Sequence, residues 1–251
     1  MTNEQGNGAI AVILARGGSK GLPGKNRAMI AGQPCVAWTI EHARGTPSLG
    51  RVGISTDDHE IAALAEAAGV EVWPRPAKLA SDTATIDAAA RSAVALADSG
   101  GRTSDDSAVV ILYANVPVRP SDLIADAIEL FRESGCDSVQ SYAQVGKHHP
   151  AWTSRVDASG IVRPWHGDQL FGGIYRRQDL EPAFVPDGGV IVVRRSVLDA
   201  AAAMPDHPHA FLGQDHRAIT TKPGDVVDID NELDQAVADQ LLRRRLALVA
   251  R

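Results

Sequence analysis

Residues 9–26 read AIAVILARGGSKGLPGKN. The first seven, Ala9 to Ala15, are continuously apolar. Such a run, with no polar alternation, suits a strand buried on both faces, as in a parallel sheet. A basic glycine loop follows at once. Arg16, Lys20, Lys25 and Arg27 lie among Gly17, Gly18, Gly21 and Gly24, with no acid between them. Ligands of open α/β sheets bind beyond the carboxyl ends of the strands, where this loop must sit. The stretch therefore predicts a fold and a place for an anion together.

The rest of the chain continues the alternation. Residues 35–44 predict a helix after Pro34, and 51–55 a second strand. Asp57 or Asp58 caps the next helix, whose Ile61, Leu64, Ala65 and Ala68 share one face and which stops at Gly69. A strand at 70–73, an alanine-rich helix over 84–98 and a buried strand at 108–112 come next. Ser121 or Asp122 then caps a further helix, and 137–143 reads as another strand. The rhythm breaks over 144–186, where a hairpin around 157–160 is followed by a stretch rich in Pro, His and Arg. A strand at 189–194, a helix near 196–203, a strand at 226–230 (VVDID) and a closing helix complete the chain. The segment carrying His207, His209 and His216 reads as a loose surface loop between them. The predicted class is α/β: one domain over 1–251, an open, mostly parallel sheet with helices on both faces, and an excursion at 144–186.

Bulk properties narrow the function. A net charge of −6 argues against a nucleic-acid backbone as main partner. No window approaches the ~20 apolar residues that span a bilayer. The opening MTNEQGNG lacks the layout of a signal peptide. Cys35 and Cys136 are far apart and show no metal-like spacing. These features predict a cytoplasmic protein without a membrane or nucleic-acid partner.

Glycines let backbone N–H groups approach an anion, and the cations supply charge. The Walker pattern fails, because Ser19 stands at its first glycine and Asn26 follows Lys25. The dinucleotide spacing G-x-G-x-x-G does not occur either. The loop is thus another class of polyphosphate cradle, or a solvated loop. A polyphosphate calls for a divalent cation, and magnesium favours one or two carboxylates plus phosphate oxygens. Asp228 and Asp230 alternate with Ile229, which puts both carboxylates on one face of an extended segment. The alternative for that pair is a cap at the start of the last helix.

Five blocks in order, AVILARGGSKGLPGKN, ISTDDHEIAALAEAAGVEVWPRPAKLASDTA, HHP, RRQDLEPAFVPDGG and VVDIDNELDQA, resemble the acylneuraminate cytidylyltransferase family, the CMP-sialic acid synthetases and their relatives. The resemblance runs from about residue 9 to 240. It implies a Rossmann-like nucleotide-diphospho-sugar transferase fold. It also implies a homodimer in which the excursion of one subunit reaches the sugar site of the other. The implied reaction joins CTP to the anomeric hydroxyl of an acidic 2-keto sugar and releases pyrophosphate, with one or two Mg²⁺ ions.

Carried over by position, the nucleotide site comprises Ala15, Arg16, Gly17, Gly18, Ser19, Lys20, Lys25, Asn26, Arg75 and Asp82. Arg16, Lys25, Asp228 and Asp230 are the implied catalytic set, and Asp228 and Asp230 the metal ligands. Tyr113, Asn115, Arg119, His149, Arg177 and Gln178 are the implied sugar contacts. The chain departs from the family in YANVPVR, residues 113–119, where sialic-acid members carry QPTSPLR. Tyr113 in place of the glutamine opens a different sugar, of eight-carbon, legionaminic or pseudaminic type. Another NTP, or a non-catalytic nucleotide sensor, are the remaining readings.

Overall fold

The computed structural model describes residues 8–19, 21–98 and 104–249. A seven-stranded sheet forms its centre, with β1 (Ala9–Leu14), β2 (Leu49–Thr56), β3 (Glu71–Pro74), β4 (Ala108–Tyr113), β5 (Ser138–Gln144), β6 (Phe184–Arg194) and β7 (His216–Thr221). Their order across the sheet is β3-β2-β1-β4-β6-β5-β7. Parallel pairing joins β1 to both β2 and β4, β2 to β3, and β7 to β5, whereas β6 runs antiparallel to β4 and β5.

Strand periodicity explains how the sheet is covered. Ala11 and Ile13 of β1, Val110 and Leu112 of β4 and Val190 and Val192 of β6 enter one core cluster. There they meet α1 (Cys35–Arg44), α2 (His59–Ala67) and α4 (Leu123–Ser134). The alternate residues Ile10, Val12, Val109, Ile111, Ile191 and Val193 point the other way, onto α3 (Ile86–Ala97) and α5 (Arg195–Ala200). Side chains two apart share a face, so unbroken apolar strands feed both layers. The expected cap of α2 is present, whereas Asp122 stands at the N-cap of α4 with no side-chain cap bond, and the cap of α3 is Thr85, which the sequence reading did not name. Asp58 accepts the N–H groups of Glu60 and Ile61 to start α2, and Thr85 accepts that of Ala88 to start α3.

A third cluster is the one that builds the site. Ile30 and Trp38 pack with Val118, Ile229, Ala238 and Leu242, the last two from α6 (Glu232–Val249). Ile229 is fully buried, which by itself stabilises the segment by about 1.5–3 kcal/mol. It pins the VVDID stretch against the end of the basic loop.

Two expectations are corrected. Residues 226–230 form no sheet strand; they are held by a single antiparallel bridge, Val118 to Val227, and by Ile229 N–H donating to Asn115 O at 2.9 Å. The segment around His216 is not wholly a loop either. His216–Thr221 is an edge strand, hidden from sequence reading because its burial is patchy. The His216 ring bonds Ser138 Oγ at 2.7 Å and Tyr142 Oη at 3.0 Å, which fastens that edge.

The excursion leaves β5 at Gln144 and returns at Phe184, which pairs with it. It carries a small hairpin, Ser154–Val156 with Val162–Pro164, closed by Asp157 accepting from Ser159 and Ile161. Val156, Ile161, Val162, Trp165, Phe171 and Tyr175 stand exposed on it, Tyr175 at 94%.

Candidate active site

The loop after β1 is fastened at several points. Ala15 is buried and donates its N–H to Ser55 O, continuing the sheet. Gly17 N–H donates to Asp57 Oδ1 at 2.8 Å. Asn26 Nδ2 donates to Arg16 O at 2.9 Å and ties the two ends of the loop together. At Gly21 a Cβ would lie 2.8 Å from the Asp230 carbonyl oxygen. Glycine is therefore required for the loop to pass the carboxylate segment. Gly18 is exposed and Ser19 half-buried on the same loop, and Lys20 lies outside the described residues.

Between this loop and the 75–89 segment opens a cavity of about 230 Å³. Arg16, Lys25, Asn26, Arg75, Asp82, Tyr113 and Asn115 supply its polar wall. Leu14, Leu79, Ile86 and Ala89 supply an apolar one. Arg16 Nη1 meets Asp82 Oδ1 at 2.8 Å across it. Arg75 donates to Ser55 O at 2.9 Å, and burial lowers its guanidinium to about 10. Asn26 is 6% exposed, and its Oδ1 has no hydrogen-bond partner among the described residues. Asn26 lines the cavity, but this oxygen is itself shielded from solvent, and a buried acceptor left unpaired is costly. Burial also raises the Tyr113 phenol to about 12, with the Asp228 charge adding to it, so the phenol stays protonated.

The carboxylates adjoin the cavity. Lys25 Nζ lies 2.8 Å from Asp230 Oδ1. Asp228 Oδ1 accepts from Asn115 Nδ2. Burial, then the charge of Asp230, raises Asp228 to about 6, against the pull of Lys25 and Arg119. Two carboxylates in mutual repulsion, one of them short of solvent, form a donor set that a hard divalent cation fits. The expected helix cap is present too, on neighbouring residues. Asn231 Oδ1 accepts from Leu233 and Asp234, and Asp234 accepts from Asp230 and Asn231, so both aspartates keep their side chains for the cleft.

Not every expected residue arrives here. Arg119 is fully buried and turned inward, bonded to backbone carbonyls and Thr39, so a direct sugar contact is corrected to an interior position. Arg27, one of the four loop cations, faces away and pairs with Asp58 and Glu60. His149 and Arg177 line a second, smaller cavity of about 120 Å³ with Gln144, Glu181 and Pro223, and Gln178 is exposed beside it. His149 is fixed there by Glu181 O at 2.9 Å. Sequence reading missed Asp57 as the anchor of Gly17. The signal was available: two successive acids after β2, only one of which the helix needs as a cap.

A family model described as cytidylyltransferase matches residues 10–165. The N-acylneuraminate cytidylyltransferase of Streptococcus agalactiae serotype III is 31% identical over 185 residues, 73% of this chain and 42% of that protein. N-acylneuraminate cytidylyltransferase A of Danio rerio is 27% identical over 93% of this chain and 50% of its own length. The chain thus spans half or less of these two relatives. The CMP-N,N'-diacetyllegionaminic acid synthase of Legionella pneumophila is 29% identical over 93% of this chain and 95% of its own length. Among solved structures, a CMP:2-keto-3-deoxy-manno-octonic acid synthetase complexed with CTP superposes with a TM-score of 0.68 at 16% identity, over 95% of this chain and 100% of that one. A 4-diphosphocytidyl-2C-methyl-D-erythritol synthase gives 0.66 at 15%, over 94% and 99%. At these identities the structures speak to the fold alone.

Proposed function

The chain belongs to the cytidylyltransferase family, and from that premise we propose that it couples CTP to the anomeric hydroxyl of an acidic 2-keto sugar, giving a CMP-sugar and pyrophosphate. The observation that carries the proposal is the meeting of Lys25 with Asp230 beside a cavity walled by Arg16, Arg75 and Asn26.

The sugar hydroxyl attacks the α-phosphorus in line; the bond to the β-phosphate oxygen breaks, pyrophosphate leaves, and the hydroxyl proton passes to solvent or a nearby base. Such a transfer depends on positioning and on neutralising charge. Lys25 and Arg16 supply that charge at the phosphates. Leu79, Ile86 and Ala89 offer apolar surface to the base. Asp228 and Asp230 would hold Mg²⁺, which when bound polarises the phosphate and lowers the pKa of the attacking hydroxyl.

The sugar is a nonulosonic acid of the sialic or legionaminic kind. The legionaminic variant is favoured by a relative matching almost end to end and by Tyr113 at the departure from the sialic-acid pattern. The working unit is a homodimer. Its support is the exposed apolar side chains of the excursion, and the position of Arg177 and Gln178 there, off the main cavity. The protein works in the cytoplasm, as its two free, buried cysteines suit.

Incubation with Mg²⁺, each of the four NTPs and a panel of acidic keto sugars, reading pyrophosphate, tests the reaction. CTP-dependent release with one sugar supports it. Tight CTP binding with no release across the panel replaces it with a nucleotide sensor. Sedimentation of wild type and Tyr175→Asp tests the dimer, which the variant should dissociate.

A further inference from the structure

Behind the two carboxylates lies a buried arginine to which the reaction above gives no task. Arg119 donates through Nε to Gly189 O at 2.6 Å and through Nη2 to Tyr113 O at 2.9 Å. Its Nη1 serves Thr39 Oγ1 at 2.9 Å and Val116 O. Thr39 Oγ1 in turn bonds the carbonyls of Tyr113 and Val116, both at 3.2 Å. The Arg119 carbonyl accepts from Arg245 Nη1 at 2.8 Å, which adds α6 to the knot. A guanidinium buried so deeply is tolerated only where its donors are met, and here they are met by three separate stretches of chain.

The acceptors are chosen informatively. Tyr113 O and Val116 O bracket Asn115. Asn115 Nδ2 donates to Asp228 Oδ1 and to Ile229 O at 3.2 Å, and its carbonyl accepts from Ile229 N–H at 2.9 Å. The third carbonyl belongs to Gly189, next to Gly188, where a Cβ would come 3.5 Å from Asp228 Oδ2. The fork of Arg119 therefore fixes both the turn that holds one carboxylate oxygen and the strand that flanks the other.

Resting on the nucleotidyl-transfer reading, we propose that Arg119 and Asn115 are positioning residues acting in series, which set the Asp228 carboxylate for a divalent cation, Arg119 doing so from outside the cavity. The planar fork is essential to this. A lysine offers a point charge in place of several donors of fixed direction and does not span the same acceptors. Residues that orient a metal ligand through hydrogen bonds typically matter about 10–100-fold in metal affinity.

The test titrates Mn²⁺ into the full chain with CTP present and follows free metal by electron paramagnetic resonance. Wild type, Asp228→Asn, Asn115→Ala, Arg119→Lys and the double variant Asn115→Ala/Arg119→Lys are compared, with circular dichroism as the check on folding. Asp228→Asn should abolish tight uptake. Asn115→Ala and Arg119→Lys should each weaken it about tenfold. The double variant should be no weaker than the poorer single, because both act through one route. Thr39→Val, which removes one acceptor of the fork, stands in if Arg119→Lys does not fold, and should show a smaller loss in the same direction.

Wild-type affinity in Asn115→Ala, multiplied losses in the double variant, an unmoved affinity in the Arg119 or Thr39 arm, or uptake that survives Asp228→Asn each overturns the proposal. Pyrophosphate release by wild type is scored separately. Its failure removes the transferase reading while the Mn²⁺ titration still decides on Arg119 and Asn115.

Discussion

Lys25 Nζ and Asp230 Oδ1 lie 2.8 Å apart, although 205 positions separate them in the chain. The lysine side chain is 16% exposed and the aspartate 71%. A pair so open on one side adds little to stability, under about 1 kcal/mol. Its importance is positional: the cation proposed to neutralise phosphate and a carboxylate proposed to hold metal share one edge of the cleft. Lys25→Ala should therefore lower turnover about a thousandfold, with an unfolding midpoint close to wild type. Pyrophosphate release and urea denaturation on the same sample check both halves. Near-full activity would remove the triphosphate from this loop.

That convergence was legible in the sequence because its two halves carry strong local signals. Apolar β1 followed by glycines and cations reads as strand and cradle, and Asp-Ile-Asp reads as paired carboxylates around a core residue. What was not legible depends on partners distant in sequence. Nothing near Arg119 announces that its fork closes on Gly189 and Thr39. Arg27 looks like its neighbouring cations until α2 presents Asp58 and Glu60 to it. The edge strand His216–Thr221 escaped because its burial does not alternate, so HRAITT carries no period-two pattern.

Packing of the sheet edge gives a second prediction. A Cβ built at Gly53 on β2 would overlap the indole of Trp73, which is 4% exposed on β3. The ring lies over the bare backbone, so there is no free volume for a side chain. Gly53→Val should destabilise by about 1–3 kcal/mol through overpacking, despite the strand propensity of valine. Urea midpoints measure it, and an unchanged midpoint would mean that Trp73 has room to swing away.

His42 on α1 is a buried ring whose protonated form the fold disfavours. Burial, then the charges of Arg119 and Arg245, lowers it to about 4 from an ordinary 6.5. The unfolded chain therefore binds the proton more readily between those values. The stability this group contributes is complete above about pH 6.5 and is lost as pH falls toward 4. The loss attributable to it is roughly 2–3 kcal/mol. Urea unfolding at pH 7.5, 6, 5 and 4 should show a shallower acid decline in His42→Gln than in wild type; parallel declines would place the acid sensitivity elsewhere.

Tyr113 carries the last prediction, because it stands where the larger cavity meets Asp228. A Cβ at Gly188 would come 3.4 Å from its ring and 3.5 Å from Asp228 Oδ2, which places phenol and carboxylate on one wall. With its pKa near 12 the phenol presents one rotatable O–H at neutral pH. A glutamine there presents a carbonyl and two N–H donors in a fixed plane. A polar group built to match one substrate rejects analogues that leave it unpaired, by large factors where the site is dry. Tyr113→Gln should therefore shift the ratio of kcat/KM between two nonulosonic acids by about tenfold or more, while KM for CTP moves little, since the loop cations proposed to hold the phosphates are untouched. Competition between sialic and legionaminic acids, read as the ratio of the two CMP-sugars formed, measures the shift directly. An unchanged product ratio would make Tyr113 a wall of the nucleotide pocket alone and return the choice of sugar to the second cavity, with His149 and Arg177.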